Sequence, residues 1–311
     1  MYRIWVDEQP LDSVLPMLSG VAEVVGPGAD LADLSRCDGA LDPGARWDAA
    51  RMDRGDRLRV ISRIGVGYDN IDVGAATLRG IQVCYTPHGP TVSTAEHAIA
   101  LIFAAAKTVA YADRDVRAGR WHRAFRTVKG MELRGRVLGL VGAGRIGIEV
   151  SRVMRAVGMR VLVYDPALTA ERAREECVER AGSLESLLSA ADVVSLHAPA
   201  TAETRHLMNA ARLAWMRPGS ILVNTARGAL VDERALAEAL RSGHLAAAGL
   251  DVFEREPVEA SNPLLDLENV VLTDHIASHT WAGHHRLYEM AVTQLLQVLR
   301  GEQPDCPLNS V

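Results

Sequence analysis

The stretch that most constrains the fold is VLGLVGAGRIGIEVSRVMRAVGMRVLVYDP, residues 137–166. A short apolar run leads into Gly142-x-Gly144-x-x-Gly147. An amphipathic segment follows, and a second apolar run ends at Asp165. Each glycine has its own physical reason. The first permits a tight turn, the second lets the backbone approach a pyrophosphate, and the third allows a helix to pack close to its strand. The helix beginning there offers free N–H groups and a positive dipole end to phosphates. Asp165 stands near the ~20-residue offset of an acid that receives ribose hydroxyls. A carboxylate there repels a 2′-phosphate, and Pro166 sits where an arginine would welcome one. The unit therefore predicts NAD rather than NADP. The alternative is a glycine-rich structural turn.

The same pattern continues along the chain. RVLGLV, MRVLVY, ADVVSLH, GSILVNT, AAAGLDVF and NVVLT are short apolar runs, most of them separated by a plausible helix or connection such as 232–242. Strands apolar on both faces with helices between them predict a doubly wound parallel sheet of the α/β class. An earlier block has strands at 2–6 and 81–85. LRVISRIGVGYDNID (58–72) reads as a strand running into a glycine-bearing loop. Asp72 caps a short helix that Gly80 ends. Between the blocks, residues 93–119 predict one helix of about six turns, started by a Ser93/Glu96 capping box and stopped by Gly119. A final amphipathic helix carries Leu287, Met290, Ala291 and Leu295 on one face. It follows a completed sheet, so it is expected to return to the first block. The predicted domains are 1–92 with 281–311, and 93–280.

Composition excludes several classes. The net charge of −5 over 311 residues gives no footprint for nucleic acid or an anionic membrane. No run of ~20 apolar residues suggests a transmembrane span, and the N-terminus lacks a signal-peptide core. Cys37, Cys84, Cys177 and Cys306 have no CxxC spacing, so free thiols in a reducing cytoplasm are expected. The two lysines, Lys107 and Lys129, follow no strand. That argues against Schiff-base chemistry, a P-loop and a Tyr-x-x-x-Lys pair.

In a doubly wound sheet, ligands sit beyond the carboxyl ends of the strands. His197 follows DVVSL there, as a candidate on the cofactor edge. Arg227 follows ILVNTA, Asp251 lies in LDVF with Glu256 five residues on, and His275 follows VVLTD. Core packing does not explain so many charged or imidazole groups at one edge. His275 is accordingly read as an acid at a cleft, against the alternative of a core histidine. Arg227 has a structural alternative as a cap on the sheet. Glu256 has a rival in Glu254, and His275 has one in His279. His275, His279, His284 and His285 cluster in sequence, but no carboxylate or cysteine stands at ligand spacing, which argues against zinc.

The segments SRIGVGYDNID, STAEHAIAL, LRGRVLGLVGAGRIG, HAPATAETRHLM, VNTARGALVDERAL, GLDVFEREP and LTDHIAS, in this order, resemble the D-isomer-specific 2-hydroxyacid dehydrogenases. That group includes phosphoglycerate dehydrogenase and glyoxylate/hydroxypyruvate reductase, and the match spans about 58–290. The resemblance implies a Rossmann cofactor domain, a smaller flavodoxin-like substrate domain and a cleft that closes to exclude water. It also implies roles. Arg227 would hold the carboxylate and carbonyl of a small 2-oxo or 2-hydroxy acid with its planar fork. His275 would be the acid/base, and Glu256 its carboxylate partner, favouring the imidazolium. Val66 and Gly67 would offer backbone N–H groups to the substrate carboxylate. Asp251, Thr225 and Ala226 would lie on the nicotinamide side, and Gly144, Arg145 and Ile146 in the phosphate turn. A homodimer is implied, with RAGRWHRAF (117–125) as a candidate contact arm. An NAD(H)-sensing corepressor of the same fold is the alternative function.

The sequence departs from the family pattern in two places. Asp274 stands where proline usually precedes the catalytic histidine, and is expected to point away from the site. Residues 38–56 are unlike the usual substrate-domain stretch, which leaves the particular acid open. Arg63 meets either a phosphate or second carboxylate, or a scaffold carboxylate. The C-terminal regulatory domain of longer phosphoglycerate dehydrogenases is not expected after Val311.

Overall fold

A computed structural model describes all of residues 1–311. The chain forms two compact units, Met1–Thr91 with His279–Val311, and Val92–Ser278.

The first unit is built on β1 (Tyr2–Val6), β2 (Ala22–Val25), β3 (Gly39–Asp42), β4 (Val60–Arg63) and β5 (Gln82–Cys84). All pairs are parallel, in the order β2-β1-β3-β4-β5. This is the flavodoxin-type strand order. The helix Trp281–Arg300 covers one face. Its Leu287, Tyr288, Ala291, Val292, Leu295 and Leu299 are buried against Ile4, Val6, Leu41 and Val60. The buried stripe includes Tyr288 and Val292, whereas Met290 is only half-buried. The fit is close at Gly39, where a Cβ would stand 2.9 Å from Val60 and 3.3 Å from Leu295.

The second unit contains β6 (Val137–Val141), β7 (Arg160–Tyr164), β8 (Glu179–Arg180), β9 (Val193–Leu196), β10 (Ser220–Asn224), β11 (Leu245–Leu250) and β12 (Val270–Leu272). The parallel order is β12-β11-β10-β9-β6-β7-β8. Chain order reverses between β6 and β9, which is the Rossmann switch point. One face carries the helices Thr91–Ala106 and Arg145–Ala156, whose Ala98, Leu101, Ile102, Ile148 and Met154 pack on Leu138, Leu140 and Val223. The other face carries Leu184–Ala190 and Glu233–Arg241 through Leu187, Leu188, Leu236 and Leu240. With both faces covered, the inner strands are largely apolar, whereas the edge strand β8 is charged and exposed.

The long helix expected over 93–119 is instead two, Thr91–Ala106 and Val109–Arg117, bent by 65°. The N–H of Met131 donates to the Ala106 carbonyl at 2.6 Å, taking the acceptor that the next turn needs. Thr108 turns into the left-handed region at φ 55°. Ser93 does not cap the start. It lies inside the helix, 3% exposed, because the helix already begins at Thr91. No single helix is long and apolar enough to cross a membrane.

Candidate active site

The glycine turn after β6 has the shape its spacing predicts. Gly142 has φ 108°, and a Cβ on it would stand 2.6 Å from the His197 carbonyl oxygen. A Cβ on Gly147 would stand 2.5 Å from the Gly142 carbonyl oxygen, so neither position admits a side chain. Gly144 differs: nothing lies within 4 Å of its Cβ position, and it begins the helix Arg145–Ala156 with no side-chain cap. The free N–H groups of that helix therefore open onto accessible space, as a phosphate site requires. Arg145 is exposed there, while Ile146 is half-buried against the core.

Asp165 follows β7. Its two carboxylate oxygens accept from Ala143 N–H at 2.7 Å and Ala167 N–H at 2.8 Å. Each oxygen keeps a second lone pair for a ribose hydroxyl. Arg172 donates to the Ala143 carbonyl at 2.8 Å, so both sides of that residue are held. His197 is hydrogen-bonded to Ser195 Oγ at 3.0 Å, and burial pushes its pKa down to about 4. At neutral pH it is an uncharged wall of the turn. These residues fit a dinucleotide.

At the far ends of β10, β11 and β12 lies a second cluster. His275 Nδ1 is hydrogen-bonded to Glu256 Oε2 at 2.7 Å, and the Glu256 Oε1 accepts from Phe253 N–H at 3.0 Å. Burial works against the Glu256 charge. The His275 hydrogen bond, the Phe253 N–H and the positive charges of His275 and Arg227 outweigh it, so the carboxyl is held below its ordinary pKa. Glu254, the alternative carboxylate, is engaged elsewhere: it binds His206 at 2.7 Å and the Glu233 N–H at 3.1 Å. Histidine 279 belongs to the first unit and meets His284 edge to face at 4.3 Å. Asp274 is exposed.

Arg227 is half-buried and donates to the Ala226 carbonyl at 2.7 Å. Its loop is fixed by the Asn224 amide, which donates to the Arg227 carbonyl at 2.8 Å, and by Gly228. A Cβ on Gly228 would stand 1.8 Å from the Phe253 carbonyl carbon, so only glycine lets the two loops meet. Beside Arg227, Ala226 N–H donates to Asn224 at 3.0 Å, and the buried Thr225 hydroxyl has no protein partner.

Asp251 occupies a different position from a freely accessible cofactor ligand. It is 0% exposed. Its carboxylate accepts from Thr273 Oγ at 2.7 Å and from the N–H groups of Ile276 and Ala277, both at 2.9 Å. Its carbonyl accepts the His275 N–H at 2.8 Å. His275 has φ 59°, a left-handed conformation that costs a non-glycine residue about 1–2 kcal/mol. Hydrogen bonds to a charged group contribute roughly 1.5–3 kcal/mol each, so the Asp251 contacts are sufficient to hold it.

His97 completes this network and had no role in the sequence reading. Its Nε2 is 3.0 Å from Thr273 Oγ and 3.3 Å from Asp251 Oδ1. Burial raises the Asp251 pKa, but His97, Thr273 and the two N–H groups together pull it below the ordinary value. The only sequence signal was its place in STAEHAIAL, a segment that otherwise reads as helix.

Val66 and Gly67 belong to the first unit, in the loop after β4. The Gly67 carbonyl accepts from Arg63 Nε at 2.8 Å, and Val66 is 38% exposed. Arg63 is thus a scaffold residue of this loop.

A Rossmann sheet with an open phosphate turn, together with an imidazole–carboxylate pair beside an arginine, defines a nicotinamide-dependent dehydrogenase. The NAD-binding domain model of the D-isomer-specific 2-hydroxyacid dehydrogenases matches residues 99–277, and the chain belongs to that family. It is 48% identical over 233 residues to D-3-phosphoglycerate dehydrogenase of Archaeoglobus fulgidus, covering 75% of this chain and 44% of that protein. It is 46% identical over 259 residues to glyoxylate reductase of Korarchaeum cryptofilum, covering 83% of this chain and 78% of the relative. The crystal structure of the TT0316 protein of Thermus thermophilus superposes with a TM-score of 0.89 at 40% identity, over 99% of this chain and 100% of that one.

Two predictions follow from this geometry. His97→Phe should lower kcat by ~10-fold or more with little change in KM, since it removes a contact to the buried charge. His97→Gln, which keeps a donor, should recover part of it. Equal kcat in steady-state assays of wild type and His97→Phe would remove His97 from the network's function. The second concerns His197. Its folded pKa of about 4 lies below the ordinary 6.5, so between those values the unfolded chain takes up a proton that the folded one refuses. Stability is full above that window and is lost as pH falls through it, by at most roughly 3 kcal/mol. Melting temperatures of His197→Gln should therefore fall less steeply than wild type from pH 7 to 4.5; parallel curves would refute the assignment.

Proposed function

We propose that this chain transfers hydride between NAD(H) and a small D-2-hydroxy acid/2-oxo acid pair. The observation that carries the reading is the 2.7 Å His275–Glu256 pair, with the Arg227 charge acting on the same carboxylate. Glu256 takes the Nδ1 side of the imidazole, which leaves Nε2 to face a substrate oxygen. In reduction, His275 gives a proton from Nε2 to the carbonyl oxygen; in oxidation, it removes the hydroxyl proton. Arg227 orients the carboxylate and polarises the carbonyl with its fork of donors. The family resemblance gives the backbone N–H groups of Val66 and Gly67 to a substrate carboxylate. The bound cofactor supplies the hydride. Gly144, Arg145 and Ile146 form its phosphate turn, and Asp165 favours NAD over NADP by repelling a 2′-phosphate. Thr225, Ala226 and His197 line its nicotinamide and phosphate edges, and Asp251 acts there by shaping the 273–277 loop. The corepressor alternative has less support, because the curated relatives are named dehydrogenase and reductase. Four free thiols agree with a cytoplasmic setting.

NADH oxidation should be followed with a panel of 2-oxo acids, in parallel with NADPH and with His275→Ala. The expected result is turnover with NADH and a loss of ~100-fold or more in the variant. Undiminished turnover in His275→Ala would sink the acid assignment.

The same reading includes a homodimer. Trp121 and Phe125 in the arm at 117–125 are 71% and 76% exposed. A hollow of about 670 Å³ in the same unit is lined by Ala105, Tyr111, Met131, Ile221, Val270 and Val271. A second copy's arm is the proposed occupant. Light scattering should give twice the chain mass for wild type and a monomer for Trp121→Asp/Phe125→Asp; a monomeric wild type would rule this out.

A further inference from the structure

Glu233 opens the helix Glu233–Arg241, yet its carboxylate bonds outside that helix. The capping bond is made by Asp232, whose side chain accepts from Ala235 N–H at 3.0 Å. Glu233 instead reaches the loop after β11. One carboxylate oxygen accepts from Glu254 N–H at 2.7 Å, and the other accepts from the Asn262 amide at 2.6 Å. The exchange is mutual, because Glu233 N–H donates to Glu254 Oε1 at 3.1 Å. Glu254 Oε2 is taken by His206 at 2.7 Å. Glu254 is therefore held at its N–H and at both carboxylate oxygens, all within the second unit.

Placing an acid here is costly. Glu233 is only 9% exposed. Burial raises its pKa; the Glu254 N–H and the Asn262 amide pull the other way, and the Glu254 and Glu256 charges add to the rise. An exposed acid would serve a helix start equally well, so the helix alone does not account for a buried one beside two other carboxylates. What the burial secures is one peptide. The Phe253–Glu254 unit rests against Gly228, where a Cβ would meet it at 1.8 Å, and its N–H is held by Glu233. One residue back, the Phe253 N–H donates to Glu256 Oε1 at 3.0 Å, and Glu256 Oε2 meets His275 Nδ1 at 2.7 Å. A continuous chain of contacts thus runs from Glu233 through Glu254, Phe253 and Glu256 to His275.

We propose that Glu233 is a positioning residue: its exchange with Glu254 fixes the peptide from which Glu256 is aimed at His275, and keeps Glu254, the rival carboxylate, turned away from the imidazole. The proposal rests on the dehydrogenase reading for what His275 does, and adds to it a residue that acts through Glu256. Misplacing a reacting group by ~1 Å is enough to cost about 100-fold in rate.

Two readouts test it. In steady-state reduction of glyoxylate by NADH, Glu233→Ala should lower kcat by ~10-fold or more and leave KM little changed. Glu233→Gln keeps an acceptor for the Glu254 N–H and should recover most of the loss. In a Glu256→Ala background, Glu233→Ala should cost no more than about 2-fold further, because its route to His275 is already cut. Amide hydrogen exchange, measured residue by residue by NMR on the full chain, needs no turnover. The Phe253 N–H should exchange about 10-fold faster in Glu233→Ala than in wild type. That result supports the positioning role even if His275→Ala retains full turnover, an outcome that sinks the acid assignment alone. If glyoxylate is not reduced, exchange decides. If Glu233→Ala does not fold, Asn262→Ala replaces it, and freeing one Glu233 oxygen should speed the same exchange by ~3-fold. Unchanged kcat in Glu233→Ala, equal losses in Glu233→Gln and Glu233→Ala, a full multiplicative loss in the double variant, or unaltered Phe253 exchange would each overturn the proposal.

Discussion

The buried carboxylate of Asp251 is the interaction on which the loop after β12 depends. A fully buried charge is costly unless its lone pairs are satisfied. Here they are met by Thr273, by the N–H groups of Ile276 and Ala277, and by the neighbouring His97. Satisfying that charge dictates the path of the chain after β12. Once the path is set, His275 adopts its left-handed backbone and reaches Glu256. The desolvation cost of one residue is thus offset by groups that, in being ordered, present another. Asp251 and His275 differ in access: one is buried and organises the loop, and the other is half exposed.

The same economy recurs in the first unit. Asp42 is also fully buried at a strand end, and it also has a loop folded onto it, through Arg63, Gly44 and Asn70. In both sheets a buried acid at or just past the strand end holds the connection that follows in a defined conformation. Loops carry function when a rigid scaffold positions them, and here the scaffold extends through a charge rather than through apolar packing.

What was legible in the sequence was mostly local. Gly142, Gly144, Gly147 and Asp165 lie within one β-α-β unit, and their spacing alone specifies the turn. The strands were legible because both faces are covered, which leaves continuous apolar runs. The doubly wound order followed from their alternation with helices. The resemblance supplied the rest of the site, including the pairing of Glu256 with His275 across 19 residues. What stayed hidden depends on distant segments. The helix break at Lys107–Thr108 is made by the Met131 N–H, which no periodicity over 93–119 contains. His97 reaches Thr273 across 176 residues and reads locally as a polar residue on a helix. Asp251 was named from its position, but its burial could not be read from the strand that bears it. β8, only two residues long, leaves no period to detect.

Gly228 has a consequence for how such a site can change. Its backbone lies so close to Phe253 and Glu254 that the loop bearing Arg227 and the loop bearing Glu256 are locked as one piece. The cation and the anion of the site cannot drift apart independently, and a mutation that moves one moves the other. Variation that preserves this block therefore falls on residues outside it. For protein engineering, the two loops form a fixed cassette, to be moved together or not at all.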